Sequence, residues 1–138
     1  MKEEIFVLLA HPGGPFWENK DLESWSIPKG EFTDDDNALA AAVREFEEET
    51  GTKLQCSFIE LALITLKSGK IIYAWACEEN LDTGSIKSNE FELEWPPKSG
   101  ILKSYPEIDA GAWFNVGQAL EKINSSQAAF IRDLLSKI

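Results

Sequence analysis

Basic side chains are scarce in this chain: 13 Lys and Arg stand against 24 Asp and Glu, for a formal charge of −11. Nucleic acid and anionic membranes select clusters of Lys and Arg, so neither is an expected partner. An anionic substrate would need metal cations between it and so acidic a protein. Cysteine is nearly absent as well. Cys56 and Cys77 stand alone, with no CxxC and a single histidine, which excludes a zinc site of ordinary ligand spacing. In their apolar, strand-like surroundings they read as reduced core residues of a cytosolic protein. No apolar run approaches the ~20 residues of a membrane span. The opening "MKEEIFVLLAHPGG" is too short in its apolar part and too acidic at its start for a signal peptide. A cytoplasmic location without membrane contact is the expectation. Repeats, linkers and low-complexity segments are also lacking.

What is present suits one folded domain over residues 1–138: 43% apolar residues and five tryptophans are enough for a substantial core. "EEIFVLLAH" predicts a first strand, ended by "PGGP". Pro28 bars a central strand across "WSIPKGEF", which leaves Ser26 and Ile27 briefly extended before a turn at Gly30. "LQCSFIELALITLKSG" and "KIIYAWACEEN" predict two long strands joined in a hairpin at Ser68 and Gly69. "FELEW" alternates with period two before a pair of prolines, and "AGAWFNV" predicts a last short strand. The tail "VGQALEKINSSQAAFIRDLLSKI" has helical spacing broken near "NSS", hence two helical pieces. Strands mixed with an early helix and a C-terminal one give an α/β sandwich on a mixed sheet.

The early helix is the informative one. "DDDNALAAAVREFEEET" contains no Pro or Gly and runs into Gly51, a natural C-terminal stop. Its acids therefore crowd the end where the helix dipole is negative, and each like-charged pair three or four residues apart costs a further ~0.2–0.5 kcal/mol. A solvated acidic face could absorb such penalties. The angular pattern is more specific. At about 100° per residue, Glu48 and Glu49 lie within about 60° of Glu45, whereas Glu47 points elsewhere. Leu39, Val43 and Phe46 form a separate apolar stripe that can pack on a sheet. Three carboxylates on one face are hard oxygen ligands suited to Mg²⁺ or Mn²⁺. Arg44 can brace a neighbouring carboxylate, Glu48 being one turn on.

In these residues the chain resembles the Nudix hydrolases, whose box reads GX5EX7REUXEEXGU with U a bulky apolar residue. Gly30 is followed by five residues and Asp36, then by seven residues and "REFEEETGT", Arg44 to Thr52. Asp36 replaces the pattern's Glu, and Thr52 its final apolar residue. The preceding strand, "WSIPKGE" and "EIDAGAWFNVGQAL" are similar too, so the likeness covers most of the chain. It implies the Nudix α/β/α sandwich. It also implies that Glu45, Glu48 and Glu49 are metal ligands, with Arg44 orienting them, Gly30 turning the backbone into the helix and Gly51 closing it. An outside acid often joins such a set, with Glu107 the first candidate and Glu92 and Glu94 the next. Asp36 is either an outer ligand, one methylene short, or a cap that favours the positive helix N-terminus together with Thr33, Asp34 and Asp35.

The implied chemistry is attack of water on phosphorus in a nucleoside diphosphate linked to another group, with Mg²⁺ or Mn²⁺ as cofactor. Glu49, Glu48 or Glu107 would serve as general base. "PKGE", "SGKIIYAWA" and "PEIDAGAWF" resemble the branch that cleaves diadenosine polyphosphates more than the one that removes oxidised nucleoside triphosphates. Lys29 and Lys70 could neutralise distal phosphates, and Tyr73, Trp95 or Phe91 could stack on a base. Loop lysines are also ordinarily solvated, and strand aromatics ordinarily core. His11 before "PGGP" lacks the GxxxxGK[ST] of a phosphate loop and reads as a strand end and turn. The partner implied is a small nucleotide, with monomer and homodimer both open. A second reading is a Nudix-fold module that binds a nucleotide without hydrolysing it.

Overall fold

The order of elements follows the apolar runs of the sequence. A computed structural model describes residues 5–28 and 38–138, apart from the side chain of Ser85. Lys29, Gly30 and Asp36 lie outside the described residues, so their expected roles are not addressed by it. The aliphatic run near the N-terminus forms β1 (Phe6–Pro12), and the Ala-rich acidic stretch forms α1 (Ala38–Thr50). Four short strands follow: β2 (Phe58–Glu60), β3 (Ile64–Thr65), β4 (Ile71–Ile72) and β5 (Trp75–Cys77). Then come β6 (Glu90–Glu94), β7 (Leu102–Pro106), β8 (Ile108–Asn115), α2 (Val116–Lys122) and α3 (Ala128–Lys137).

β1 and β8 pair antiparallel from Phe6↔Asn115 to Pro12↔Ile108, with a register shift at His11/Pro12. Side chains alternate across this ribbon. Val7, Leu9 and Phe114 face one way, into a core with Ala119, Ile123 and Ile131. Before Pro28 the chain is extended only briefly, as expected. Ser26 exchanges backbone hydrogen bonds with Ala10, and Trp25 makes a parallel bridge to Ile123. The buried Gln127 side chain accepts the Ile27 N–H at 3.0 Å, which anchors that segment to the start of α3.

The two long strands predicted from Leu54 to Asn80 are instead four short ones in two nested ladders, β2 with β5 and β3 with β4. The turn lies where predicted: Gly69, at φ 91°, donates to Leu66 O, and Leu66 N–H donates to Lys70 O. The interruption has an identifiable cause. Ala62 N–H turns to the Asp133 carboxylate of α3 at 2.7 Å rather than across the ladder. Lys137 donates to Glu60 O at 2.8 Å. These two contacts fasten the nested ladders to α3, whose Phe130 fills a second core with Leu61 and Ala74.

The two cysteines depart from expectation. Cys56 and Cys77 are disulfide-bonded, with Cα atoms 6.1 Å apart, and both are half-buried rather than in the core. The β2–β5 register explains the encounter, because it sets Phe58 opposite Cys77 and so brings Cys56, two residues earlier, to the same strand end. β7 was also not expected. It pairs with β6 from Glu90↔Pro106 to Glu94↔Leu102.

Phe130, 2% exposed, should cost about 3–5 kcal/mol of stability when replaced by Ala. Leu22→Ala, at a side chain 63% exposed, should stay within about 0.5 kcal/mol of the parent. Urea unfolding followed by tryptophan fluorescence measures both, and equal losses would contradict this placement of the core.

Candidate active site

α1 ends as its sequence dictates. Gly51 adopts φ 80° and donates to Glu47 O at 2.7 Å, the left-handed stop expected of a glycine after a helix. The buried Thr50 hydroxyl donates to Phe46 O, and its backbone carbonyl accepts Lys87 N–H at 3.2 Å. The acidic end is thus held in place by its last turn. Leu39, Val43 and Phe46, the predicted apolar stripe, line a cavity of about 540 Å³. Phe6 and Leu8 of β1, Trp75 of β5 and Trp113 of β8 also line it.

Glu45 sits at the border of this cavity, and Lys70 and Tyr73 line it as well. The structure therefore brings one predicted metal ligand and two predicted substrate contacts to a common space. That volume lies within the ~300–1,000 Å³ of small-molecule sites. The Glu45 side chain is 23% exposed, and Arg44 Nη2 stands 3.6 Å from its Oε1. Arg44 thus braces Glu45, its sequence neighbour. Burial pushes the Glu45 carboxyl above its ordinary value of 4.5, and the Glu48 carboxylate, close enough to share a hydrogen bond with it, pushes in the same direction. Arg44 opposes both. Glu47 and Glu48 are exposed and Glu49 is half-buried.

Glu107 occupies the turn from β7 to β8 and is exposed. Its backbone is fixed on both sides: its N–H donates to Asn89 O at 2.9 Å, and its carbonyl accepts Gly13 N–H at 3.0 Å. Only glycine fits at position 13, where a Cβ would lie 1.9 Å from Pro106 O. Among the described residues, no three His, Cys, Asp or Glu side chains stand close enough together to hold a metal ion. Glu45 and Glu48 are close neighbours, and neither Glu49 nor Glu107 is gathered with them into such a group. The donor chemistry nevertheless fits a divalent cation, since two mutually repelling carboxylates gain most from a positive charge between them.

The remaining sequence candidates lie elsewhere in the fold. Phe91 lies over Gly14 and beside Tyr105, with ring centroids 6.1 Å apart, and Trp95 packs edge-on against Phe16 at 5.2 Å. Neither borders the cavity. Glu92 is exposed on β6, and Glu94 accepts Gly100 N–H at 3.4 Å in the β6–β7 turn. His11 is a buried tie at the end of β1. Its Nδ1 meets Asp109 Oδ1 at 2.8 Å and its Nε2 meets Lys20 O at 2.6 Å. Sequence reasoning missed Trp75 and Trp113 as cavity residues. Their apolar neighbours gave no sign of which face each would take.

The NUDIX domain model matches residues 1–134. The chain belongs to the Nudix family. A solved structure similar to this Nudix chain is "Solution structure of the E. coli ORF135 protein", at 22% identity, covering 95% of this chain and 80% of that one with a TM-score of 0.59. That likeness supports the α/β/α Nudix sandwich and nothing finer. No curated protein gave a significant sequence match. Nudix domains are generally hydrolases of acid anhydrides that use divalent metal ions, which suggests a small nucleotide as partner. Among the described residues, no helix is long and apolar enough to cross a membrane.

A carboxyl with a raised folded-state pKa binds its proton more tightly folded than unfolded, so its ionisation weakens the fold as pH rises above 4.5. Glu45→Gln should therefore raise the Tm at pH 7 in chelator, and the gain should shrink as pH falls towards 4.5 and below. Thermal melts across pH measure this, and a pH-independent difference would refute the assignment.

Proposed function

We propose that this Nudix protein is a metal-dependent phosphohydrolase that cleaves a diphosphate or polyphosphate linkage in a nucleoside diphosphate linked to another group. Dinucleoside polyphosphates are the favoured class. The observation that carries this reading is the close Glu45–Glu48 carboxylate pair on α1, with Glu45 bordering the cavity that Lys70 and Tyr73 also line. Glu45, Glu48 and Glu49 would hold Mg²⁺ or Mn²⁺, with Glu107 as an outer acid. The chemistry such an ion supplies when bound is neutralisation of phosphoryl oxygens and activation of water. Arg44 keeps the Glu45 carboxylate oriented.

A carboxylate oxygen of Glu49 or Glu48 accepts the proton of the attacking water, with Glu107 the alternative base. Lys70 faces the phosphate chain, and the partly exposed Tyr73 packs against a base. Lys29, just before the box, would neutralise distal phosphates with Lys70, while Gly30 and Asp36 of the box would supply the turn and a cap or outer ligand. The cytoplasm is the proposed setting, where nucleotides and Mg²⁺ are abundant.

Phosphate release from dinucleoside polyphosphates, nucleoside triphosphates and nucleotide sugars, each with Mg²⁺ or Mn²⁺, tests the proposal. Turnover should fall by at least ~10²-fold in the Glu48→Gln, Glu49→Gln double variant. Turnover that survives both changes would sink the mechanism. Tight nucleotide binding without turnover in the parent would favour a non-catalytic Nudix module.

Saturating Mg²⁺ should raise the parent Tm, because an ion that binds only the folded state at about 100 times its Kd stabilises by ~2.7 kcal/mol. The same double variant should lose most of that rise. A parent melt indifferent to Mg²⁺ would count against the metal site independently of substrate choice.

A further inference from the structure

The only two cysteines of the chain are 21 residues apart in sequence, yet they close one cross-link. Its placement is informative. Cys56 lies six residues beyond Thr50, the end of the helix that carries the acids. Cys77 ends β5 and lines the same cavity as Glu45, Lys70 and Tyr73. The cavity wall between these two points is lightly built: β2 pairs with β5 over three residues and β3 with β4 over two. The cross-link closes the open end of this nested unit, where the ladder itself has stopped.

We propose that Cys56–Cys77 is a reversible dithiol–disulfide switch that sets how firmly the β2–β5 wall is held beside the carboxylates of α1. This rests on reading the cavity as the substrate site. Both residues are half-buried, so their sulfurs are neither sealed in the core nor fully open. In a reducing compartment a disulfide of this kind is expected to be transient and to sense redox state rather than serve as a permanent staple.

The exchange partner is a low-molecular-weight disulfide of the glutathione type. The thiolate of one cysteine attacks a sulfur of that disulfide, forming a mixed disulfide and expelling one thiolate. The thiolate of the other cysteine attacks the protein sulfur of the mixed disulfide, which closes Cys56–Cys77 and expels the second thiolate. Two electrons pass from the cysteine pair to the small disulfide, and the two cysteine protons end on the two released thiols. Excess reduced thiol runs the same steps backwards. The Cα separation of 6.1 Å allows the bond to form without large backbone movement.

Closing this loop should restrict the unfolded chain and slow local opening of residues 58–77. The test equilibrates the full chain in glutathione buffers of graded ratio and counts free thiols by alkylation and mass spectrometry. Tm, amide hydrogen exchange and Mg²⁺-dependent hydrolysis of dinucleoside polyphosphates are then compared between the two forms. The pair should oxidise and reduce reversibly, with the reduced form melting roughly 5–10 °C lower. Reduced protein should exchange amides of 58–77 faster, and its KM should differ from that of the oxidised form by at least about twofold. A Cys56→Ser, Cys77→Ser variant should match reduced parent protein in either buffer.

A pair that stays reduced in oxidised glutathione overturns the proposal, as does equal exchange and equal KM in the two forms. If neither form hydrolyses any substrate, the proposed function falls and the switch is decided by exchange alone. Slower exchange of 58–77 in the oxidised form then upholds it, and equal exchange overturns it.

Discussion

The register between β1 and β8 is the constraint on which the other placements depend. It runs from Phe6↔Asn115 to Pro12↔Ile108, the longest pairing among the described strands. A slip of one residue would turn Val7 and Leu9 out of the core and Phe6 and Leu8 into it, because side chains alternate with period two. The correct register also delivers both ends of the ribbon. At one end Asn115 caps α2 by accepting Gln118 N–H at 2.9 Å, which starts the helical tail that covers the core. At the other, the His11–Asp109 contact and the Gly13–Glu107 hydrogen bond fix the β7–β8 turn. The position of Glu107 therefore follows from strand pairing and from its own two backbone hydrogen bonds.

α1 answers a different demand. Its apolar stripe satisfies burial, while its last turns gather charge that neither helix propensity nor the dipole favours. The burial of Glu45 and its repulsion from Glu48 act in the same direction, and the single nearby guanidinium of Arg44 only partly offsets them. Local rules and structure disagree at this point and agree along the rest of the helix. Such a disagreement is expected where a site, rather than stability, sets the sequence. The cavity that Glu45 borders is also lined by Lys70 and Tyr73.

Much of this arrangement was legible in the sequence, for physical reasons that also mark the limits. The α1 stop at Gly51 and the turn at Gly69 rest on glycine's access to positive φ, the break at Pro28 on proline's fixed φ and missing N–H, and the split tail on the polar "NSS" between two apolar helical patterns. The spacing of "REFEEETG" predicted Glu45 and Glu48 as neighbours because a helix converts spacing directly into direction. Strand lengths between Phe58 and Cys77 were overcalled, since the apolar pattern does not reveal that Ala62 N–H will find Asp133, 71 residues away in the chain. β7 was missed because "ILKSYP" alternates weakly and its partner strand supplies the order. The pairing of the cysteines depends on the β2–β5 register, which no local signal states. Which aromatics would line the cavity also depended on how separate strands face one another.

These limits share a cause that bears on function. The β2–β5 unit is short of its own ladder hydrogen bonds and takes its order from outside: from Asp133 and Lys137 of α3, from Phe130 beneath it, and from the cross-link at its end. Ala62 N–H and Lys137 hold the Asp133 carboxyl below the usual range, so this acceptor stays ionised for its task. An element held by a few distant contacts opens more easily than one zipped by its own pairs. Among the described strands, the wall that carries Lys70 and Tyr73 therefore leans more on distant contacts than the β1–β8 ribbon, which pairs over its whole length.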